Sequence, residues 1–285
     1  MWLPLYGPLT SRLRDHEGAR HAVFSPGRPT GRPRDPARPP VTRTAARSGR
    51  ACFQYGLDAP GPLVASGVAG IVAIAVGFTA VRRALWPGVV LVAYAGGHLW
   101  GSTIGKVRAA RRLLGAIPWR GDEVVLDVGC GHGLFLVETA RHLTTGTAVG
   151  IDVWSQKDQW RNSPAAAIEN VRRARVIGRA HVHDADARHL PFPDATFDVV
   201  VSSLVIHNIP GRDDRARALQ EIVRVLKPNG HVLIVDLAHT AHYAQQLRAA
   251  GLADVRRSMP MPQFFLTARA VTAICREAPR TRPQL

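Results

Sequence analysis

The chain has 285 residues, 46% of them apolar and 20% charged, with 26 glycines, 21 prolines and three cysteines. That is enough apolar material for a full globular domain and excludes wholesale disorder, a collagen repeat and a disulfide scaffold. The formal charge of +16 is unevenly spread: residues 1–60 hold ten arginines, no lysine and four acids. Cys52, Cys130 and Cys275 are odd in number, far apart and without metal-like spacing, which points to free thiols in a reducing compartment and to no metal site.

Residues 1–60 interleave proline and arginine, as in Pro26-Gly27-Arg28-Pro29 and Arg38-Pro39-Pro40. Such a stretch buries too little apolar area to offset chain entropy and is expected to be a disordered arm. Residues 61–105 change character. From Leu63 to Val81 there is no charge, and after Arg82-Arg83 the run Ala84 to Gly105 is again uncharged apart from His98. A bilayer-spanning helix takes about 20 apolar residues, so the pair predicts a transmembrane helical hairpin. Trp86 and Trp100 stand near the ends of the second run, where interfacial aromatics belong. The arginines of the arm, together with Lys106, Arg108, Arg111 and Arg112 beyond the second run, outnumber the two at the tip. Both ends, and the domain that follows, are therefore expected on the cytoplasmic side of the membrane. A cleavable signal peptide is disfavoured, because the apolar stretch begins some 60 residues in and is followed by another.

Residues 106–285 alternate strand and helix. The pattern predicts a basic helix over 107–114, a buried strand over 123–128, a helix over 134–143 and a strand over 148–152. A helix over 165–176 and a strand over 180–183 follow, then the clearest strand, 197–202. Leu219, Ile222, Val223 and Leu226 recur at i, i+3, i+4 and i+7 as one apolar helix face, and 231–236 reads as a further strand. The remainder reads as a helix over 241–250 and short strands over 254–259 and 264–274. This order implies an α/β fold with a seven-stranded, mostly parallel, Rossmann-like sheet flanked by helices.

Strand 123–128 runs directly into Gly129-Cys130-Gly131-His132-Gly133 and a helix. Glycines there let the backbone turn tightly and approach a ligand beside helix N-terminal amides. The spacing G-x-G-x-G departs from the dinucleotide fingerprint G-x-G-x-x-G. Asp152 closes the next strand 19 residues after Gly133, where a carboxylate can take both hydroxyls of a ribose. Together the two features favour a cofactor that contains adenosine.

The residues 125–133, then Gly150-Ile151-Asp152, then 186–194 with Phe197-Asp198, then Leu226-Lys227-Pro228-Asn229-Gly230 resemble class I S-adenosylmethionine-dependent methyltransferases. Among these they are most similar to the branch of the ubiquinone and menaquinone biosynthesis methyltransferases. The resemblance implies S-adenosyl-L-methionine as cofactor. It implies that Asp127, Gly129 and Gly131 hold the methionine end with Gly133 completing the loop, that Asp152 holds the ribose, and that Asp186 and the Ala187 backbone hold the adenine. Asn229 stands where the family has a glycine, and the stretch 154–162 is longer than the family's. Trp154 and Trp160 within it are readable as cofactor and substrate contacts or as ordinary loop tryptophans.

Methyl transfer from a sulfonium needs positioning and exclusion of water more than covalent help. Where the acceptor must lose a proton, His207 after the fourth strand is the candidate base by position, with Asp236 and His239 behind it. His181, His183 and His189 lie near Asp184 and Asp186 but fall in the stretch that the resemblance gives to adenine. The expected partner is a small, lipophilic methyl acceptor taken from the membrane. Methylation of a protein or nucleic acid docked by the arm, and a non-catalytic membrane scaffold, are the alternatives. The Ser202-Ser203-Leu204 segment in place of an Asn-Pro-Pro-aromatic motif weighs against nucleic-acid bases.

Overall fold

The computed structural model describes residues 54–57, 60–156, 159, 161–261 and 268–276. The arm expected over residues 1–60 lies outside them, with the exception of residues 54–57 and 60. Gln54–Gly56 do not follow the expectation: their carbonyls accept hydrogen bonds from the domain, and Tyr55 is 6% exposed.

Two apolar helices come first, α1 (Pro60–Thr79) and α2 (Leu85–Trp100), joined by a short 3-10 turn at Arg82–Ala84. They pack as an antiparallel pair through small residues. A Cβ on Gly70 would lie 2.8 Å from Val92 Cγ2, and one on Gly88 would lie 2.8 Å from the backbone of Ile74. Close backbone approach of this kind is how apolar helices associate where no hydrophobic drive separates them from their surroundings. The outward faces are apolar as well: Ile71, Phe78, Trp86 and Val90 are 65%, 78%, 77% and 64% exposed. Among the described residues, α1 is the helix whose length and composition suffice to cross a bilayer. With 16 residues, α2 is shorter, but it does not stop at Trp100. It continues through one π turn, Gly101–Gly105, into the basic helix α3 (Lys106–Leu114).

The strands are β1 (Val124–Val128), β2 (Thr147–Asp152), β3 (Ala180–Asp184), β4 (Phe197–Ser203), β5 (Leu226–Asp236), β6 (Ala253–Arg257) and β7 (Arg269–Ile274). They form one sheet in the order β3-β2-β1-β4-β5-β7-β6. Strands β1 to β5 are parallel, and β7 is antiparallel to both β5 and β6. This is the seven-stranded, mostly parallel sheet expected. Strand β1 reads Val-Val-Leu-Asp-Val and is buried along nearly its whole length because helices cover both sheet faces. The cover on one face includes α3 and α4 (Leu134–Ala140), with Ala110, Leu114, Leu136 and Val137 at or near zero exposure. On the other face α6 (Arg212–Val225) and α7 (Thr240–Ala249) contribute Leu219, Ile222, Tyr243 and Leu247. Helix α5 (Pro164–Arg173) opens on Ser163, whose Oγ accepts from the Ala166 amide at 3.3 Å, with Pro164 at the first helical position.

The expected helix face needs one correction. Leu226 belongs to β5, paired with Phe197, and the last buried position of α6 is Val225. Pro228 disfavours helix at Lys227, so the chain turns extended at Leu226. Residues 226–230 are the irregular start of the strand rather than a separate turn, with a register shift opposite Phe197 and Val199. Asn229 there has φ +66°, the left-handed angle its side chain tolerates. Of the last expected strand, 264–267 lie outside the described residues, and β7 begins at Arg269.

Candidate functional site

Parallel register brings the carboxyl ends of the strands to one edge. Val128 pairs with Ile151 and Ser202, Asp152 with Asp184, and Ser203 with Val235. The order reverses between β1 and β4, and in open α/β sheets that crevice is where ligands bind.

The glycine loop lies over the end of β1. The Gly129 and Cys130 amides both donate to the Ile151 carbonyl, at 2.8 and 2.9 Å, and the Gly133 amide donates to the Cys130 carbonyl at 2.7 Å. Gly129, Gly131 and Gly133 have φ of +72°, +51° and +80°, angles costly for any residue with a Cβ. A Cβ on Gly129 would also strike Val205 of the β4 exit, and one on Gly131 would meet Gln159 Oε1 at 2.5 Å. Asp127 sits beneath this loop at 2% exposure, and its Oδ2 is a buried oxygen without a hydrogen-bond partner. Burial, with the Asp152 carboxylate adding to it, pushes the Asp127 carboxyl up from 3.8 to about 8. An orphaned buried oxygen of this kind can take a donor from a ligand or a water.

Asp152 is 9% exposed and is held by three donors: the Gly131 amide at 2.8 Å, the Trp154 amide at 2.6 Å and Asn162 Nδ2 at 3.1 Å. Its side chain therefore touches the glycine loop directly, which joins two of the expected cofactor elements. The third, Asp186, is tied to neighbours of its own. Asp186 is gripped by Arg188, whose Nε lies 3.0 Å from both carboxylate oxygens and whose Nη2 lies 2.6 Å from Oδ2. That pairing holds its carboxyl below the ordinary range. Ala187 beside it is buried. Trp154, at φ +58°, donates from Nε1 to Asp184 Oδ1 at 2.5 Å, spanning the ends of β2 and β3. Trp160 lies outside the described residues.

At the ends of β4 and β5 a second cluster forms. Asp236 is fully buried and accepts from the His207 amide at 2.9 Å, the Leu237 amide at 2.8 Å and the Tyr243 hydroxyl at 3.2 Å. The Nδ1 of His207 is in contact with Asp236 Oδ1, while the imidazole stays 20% exposed. Asp236 is thus occupied as a support for His207 rather than open to a substrate. His239 caps α7 at φ +59° without a side-chain hydrogen bond to the helix. Val205, two residues before His207, is the residue packed on Gly129, so this cluster adjoins the glycine loop.

Sequence reasoning overlooked Gln159, Asn162 and Tyr243. The unusual length of 154–162 was the signal for the first two, and Tyr243, seven residues beyond Asp236, had none.

Residues 126–234 match the family model described as "Methyltransferase domain". The chain is 36% identical over 132 residues to the 27-O-demethylrifamycin SV methyltransferase of Amycolatopsis mediterranei, covering 45% of this chain and 44% of the relative. It is 33% identical over 115 residues to the demethylmenaquinone methyltransferase of Lactiplantibacillus plantarum (39% and 44%). To a ubiquinone/menaquinone biosynthesis C-methyltransferase of Geobacter sulfurreducens it is 34% identical over 137 residues (46% and 48%). The match thus spans less than half the length of each of these relatives. Among solved structures, an O-methyltransferase family protein from Burkholderia thailandensis superposes with a TM-score of 0.51 at 14% identity, over 76% of this chain and 72% of that one. That likeness is one of fold. Together with the glycine loop, Asp152 and the sheet order, these similarities identify the region 126–234 as a methyltransferase domain of the class I S-adenosylmethionine-dependent type, resembling the ubiquinone and menaquinone branch.

Proposed function

We propose that the protein transfers a methyl group from S-adenosylmethionine to a small, lipophilic acceptor drawn from a membrane in which the α1–α2 hairpin is embedded. The observation that carries the reading is the juxtaposition at one sheet edge of a glycine loop over a buried, unsatisfied Asp127 and a histidine backed by a buried carboxylate.

The residues present fit the cofactor. Asp127 Oδ2 lacks a donor that an amino group would supply, Gly129 and Gly131 allow the left-handed turns and the close packing of Val205 and Gln159 that shape the loop, and Asp152 stands at the position that the family gives to the ribose. Asp186 and Ala187 are assigned to the adenine. When bound, S-adenosylmethionine supplies a methyl group on a sulfonium, and in-line displacement breaks the S–C bond as the bond from acceptor to carbon forms. The chain's own part is to orient the acceptor and to take its proton. The Asp236 carboxylate lies beside Nδ1 of His207 and favours the tautomer with the proton on that nitrogen, in which Nε2 is left to receive one. His207 is therefore the base for an acceptor that must lose a proton, and Asp236 with Tyr243 fixes its ring. The relatives' names cover methylation at oxygen and at carbon, so the accepting atom is a matter for experiment.

The deciding measurement is transfer of labelled methyl into cell extract by the wild type and by Asp152→Ala, with organic-soluble label separated from protein and nucleic acid. Organic-soluble label that is lost in the variant is the expected result. Label confined to the macromolecular pellet would overturn the small-molecule reading in favour of a docked macromolecule.

A further inference from the structure

The short segment before the hairpin lies against the glycine loop. Tyr55 is buried in the same cluster as Ala109, Ala110 and Phe135. Burial and the nearby Glu138 carboxylate push its hydroxyl up to about 12, so it stays neutral there. The backbone around it is tied to His132, which stands between Gly131 and Gly133 of the glycine loop, by two bridging side chains. Asn170 Nδ2 donates to the Gln54 carbonyl at 2.8 Å and to the His132 carbonyl at 2.9 Å. Gln159 Nε2 donates to the Tyr55 carbonyl at 3.3 Å, while its Oε1 accepts from the His132 amide at 3.2 Å. Gly56, at φ +72°, lies so close that a Cβ would be 2.8 Å from the His132 ring.

A third tie comes from the other foot of the hairpin. Lys106 follows the π turn that ends α2, and its side chain turns inward to 5% exposure. Its Nζ donates to the Tyr55 carbonyl at 3.0 Å and the Gly56 carbonyl at 2.9 Å. An ammonium group is costly to bury and stays buried only when its donors are met. Here two of the acceptors are backbone carbonyls, which no substitution within the segment can remove. The chain entering α1 and the chain leaving α2 are thus locked to each other on top of the cofactor loop.

We propose that Gln54–Gly56 is a strap that holds the glycine loop in its ligand-ready shape, with Lys106 and Asn170 as positioning residues, so that cofactor affinity depends on the two feet of the hairpin. The proposal rests on the reading of this loop as the S-adenosylmethionine site. It extends the working site to residues before and after the hairpin, outside the matched region 126–234. It also makes the hairpin more than an anchor, since a change in its foot geometry is felt at His132.

The test uses the full chain in detergent micelles, with S-adenosylhomocysteine binding by calorimetry and amide exchange of the peptide covering 129–134 as two separate readouts. Lys106→Met and Asn170→Leu are each expected to weaken binding by about tenfold and to speed exchange of the loop while β4 and β5 keep their protection. Should Lys106→Met fail to fold, Gly56→Ala reads the strap's own contact with the loop, because its Cβ displaces the strap from His132 without emptying the core. Binding within about twofold of wild type together with unchanged loop exchange overturns the strap. Asp152→Ala separates the two readings: lost binding there with intact binding in Lys106→Met upholds the cofactor site and removes the strap. If the wild type itself does not bind S-adenosylhomocysteine, the cofactor reading falls, and loop exchange alone decides the strap.

Discussion

Asp127 is held as a neutral acid near pH 7 by burial, and a cationic amino group placed against its free oxygen would reverse that preference. Its folded pKa, about 8, lies above the ordinary 3.8. The extra stability from the bound proton is therefore complete below pH 3.8, shrinks as pH rises, and is gone above about pH 8. Asp127→Asn is expected to flatten the dependence of Tm on pH between those values and to be relatively more stable than wild type at pH above 8. For the ligand the sign is opposite. Binding that favours the carboxylate releases a proton, so affinity for S-adenosylhomocysteine should rise with pH through neutrality, and calorimetry in buffers of different ionisation enthalpy should show the proton leaving. Equal affinity at pH 6 and pH 8 would place the amino group elsewhere. At the β4–β5 cluster the expectation concerns rate. Removing a positioned base costs roughly 100-fold to 10,000-fold, so His207→Gln should lower kcat on that scale and leave S-adenosylhomocysteine affinity unchanged. Asp236→Asn should lower kcat in the same direction by releasing the ring. A kcat unaffected by His207→Gln would indicate an acceptor that is already nucleophilic.

At the scale of elements, the α1–α2 pair depends on missing side chains. Gly70 and Gly88 face each other's helix so closely that the carbonyl of each lies 3.0 Å or less from a Cβ placed on the other. Gly70→Leu is expected to split the pair at a cost of at least about 1–3 kcal/mol, the usual range for overpacking. A fall in Tm in micelles with little change in Tm for Val64→Leu on the exposed face would show it. What could be read in the sequence at this scale follows from what kind of signal each element leaves. Strands β1, β2 and β4 and the glycine loop were legible because buried strands are mostly apolar runs and tight turns spend glycines, whereas β3, Ala-His-Val-His-Asp at the sheet edge, is largely unburied and was read from its place after a helix. The α6–β5 boundary was not, because Leu226 fits the helical period and only Pro228 argues otherwise. The strap left no pattern at all: its ties to the loop use backbone carbonyls of Gln54, Tyr55 and Gly56, and a carbonyl has no residue type. Nor does Tyr55 stand out, since Trp2, Tyr6, Phe24 and Phe53 are aromatics of the same arm. Of the proposed site, Asp127 and Asp152 were assigned by their position in the motifs, and they lie at the ends of β1 and β2 on one sheet edge. The support of His207 by Tyr243 was not legible, since it depends on how α7 packs on β5.

For the whole molecule the question is which surface meets the bilayer. From Leu85 to Gly105 the helix advances about 1.5 Å per residue, or roughly 30 Å over 21 uncharged residues, which equals the hydrocarbon thickness of a bilayer. Helix α1, with 20 residues, has the same reach. A pair of this length, with Phe78 and Trp86 exposed near the tip, has the reach and the apolar surface that the proposed embedding requires. Embedding it would hold the glycine loop and His207 close to the surface from which a lipophilic acceptor leaves, raising its local concentration without any added contact. For an embedded pair, the basic residues give the expected direction. Arg108, Arg111 and Arg112 on α3 follow the second helix directly, whereas the tip offers Arg82 and Arg83 alone. The domain should therefore lie on the cytoplasmic side and the tip on the opposite one. Replacing Arg83 by cysteine in a cysteine-free background, Arg83→Cys, should give a thiol labelled by an impermeant maleimide from outside intact cells. A cysteine restored at position 275 should be labelled only after lysis. Labelling of both positions only after lysis, with the protein released from membranes by carbonate, would mean a hairpin that covers a protein partner instead of crossing a bilayer. The lipophilic-substrate reading would then lose its physical basis.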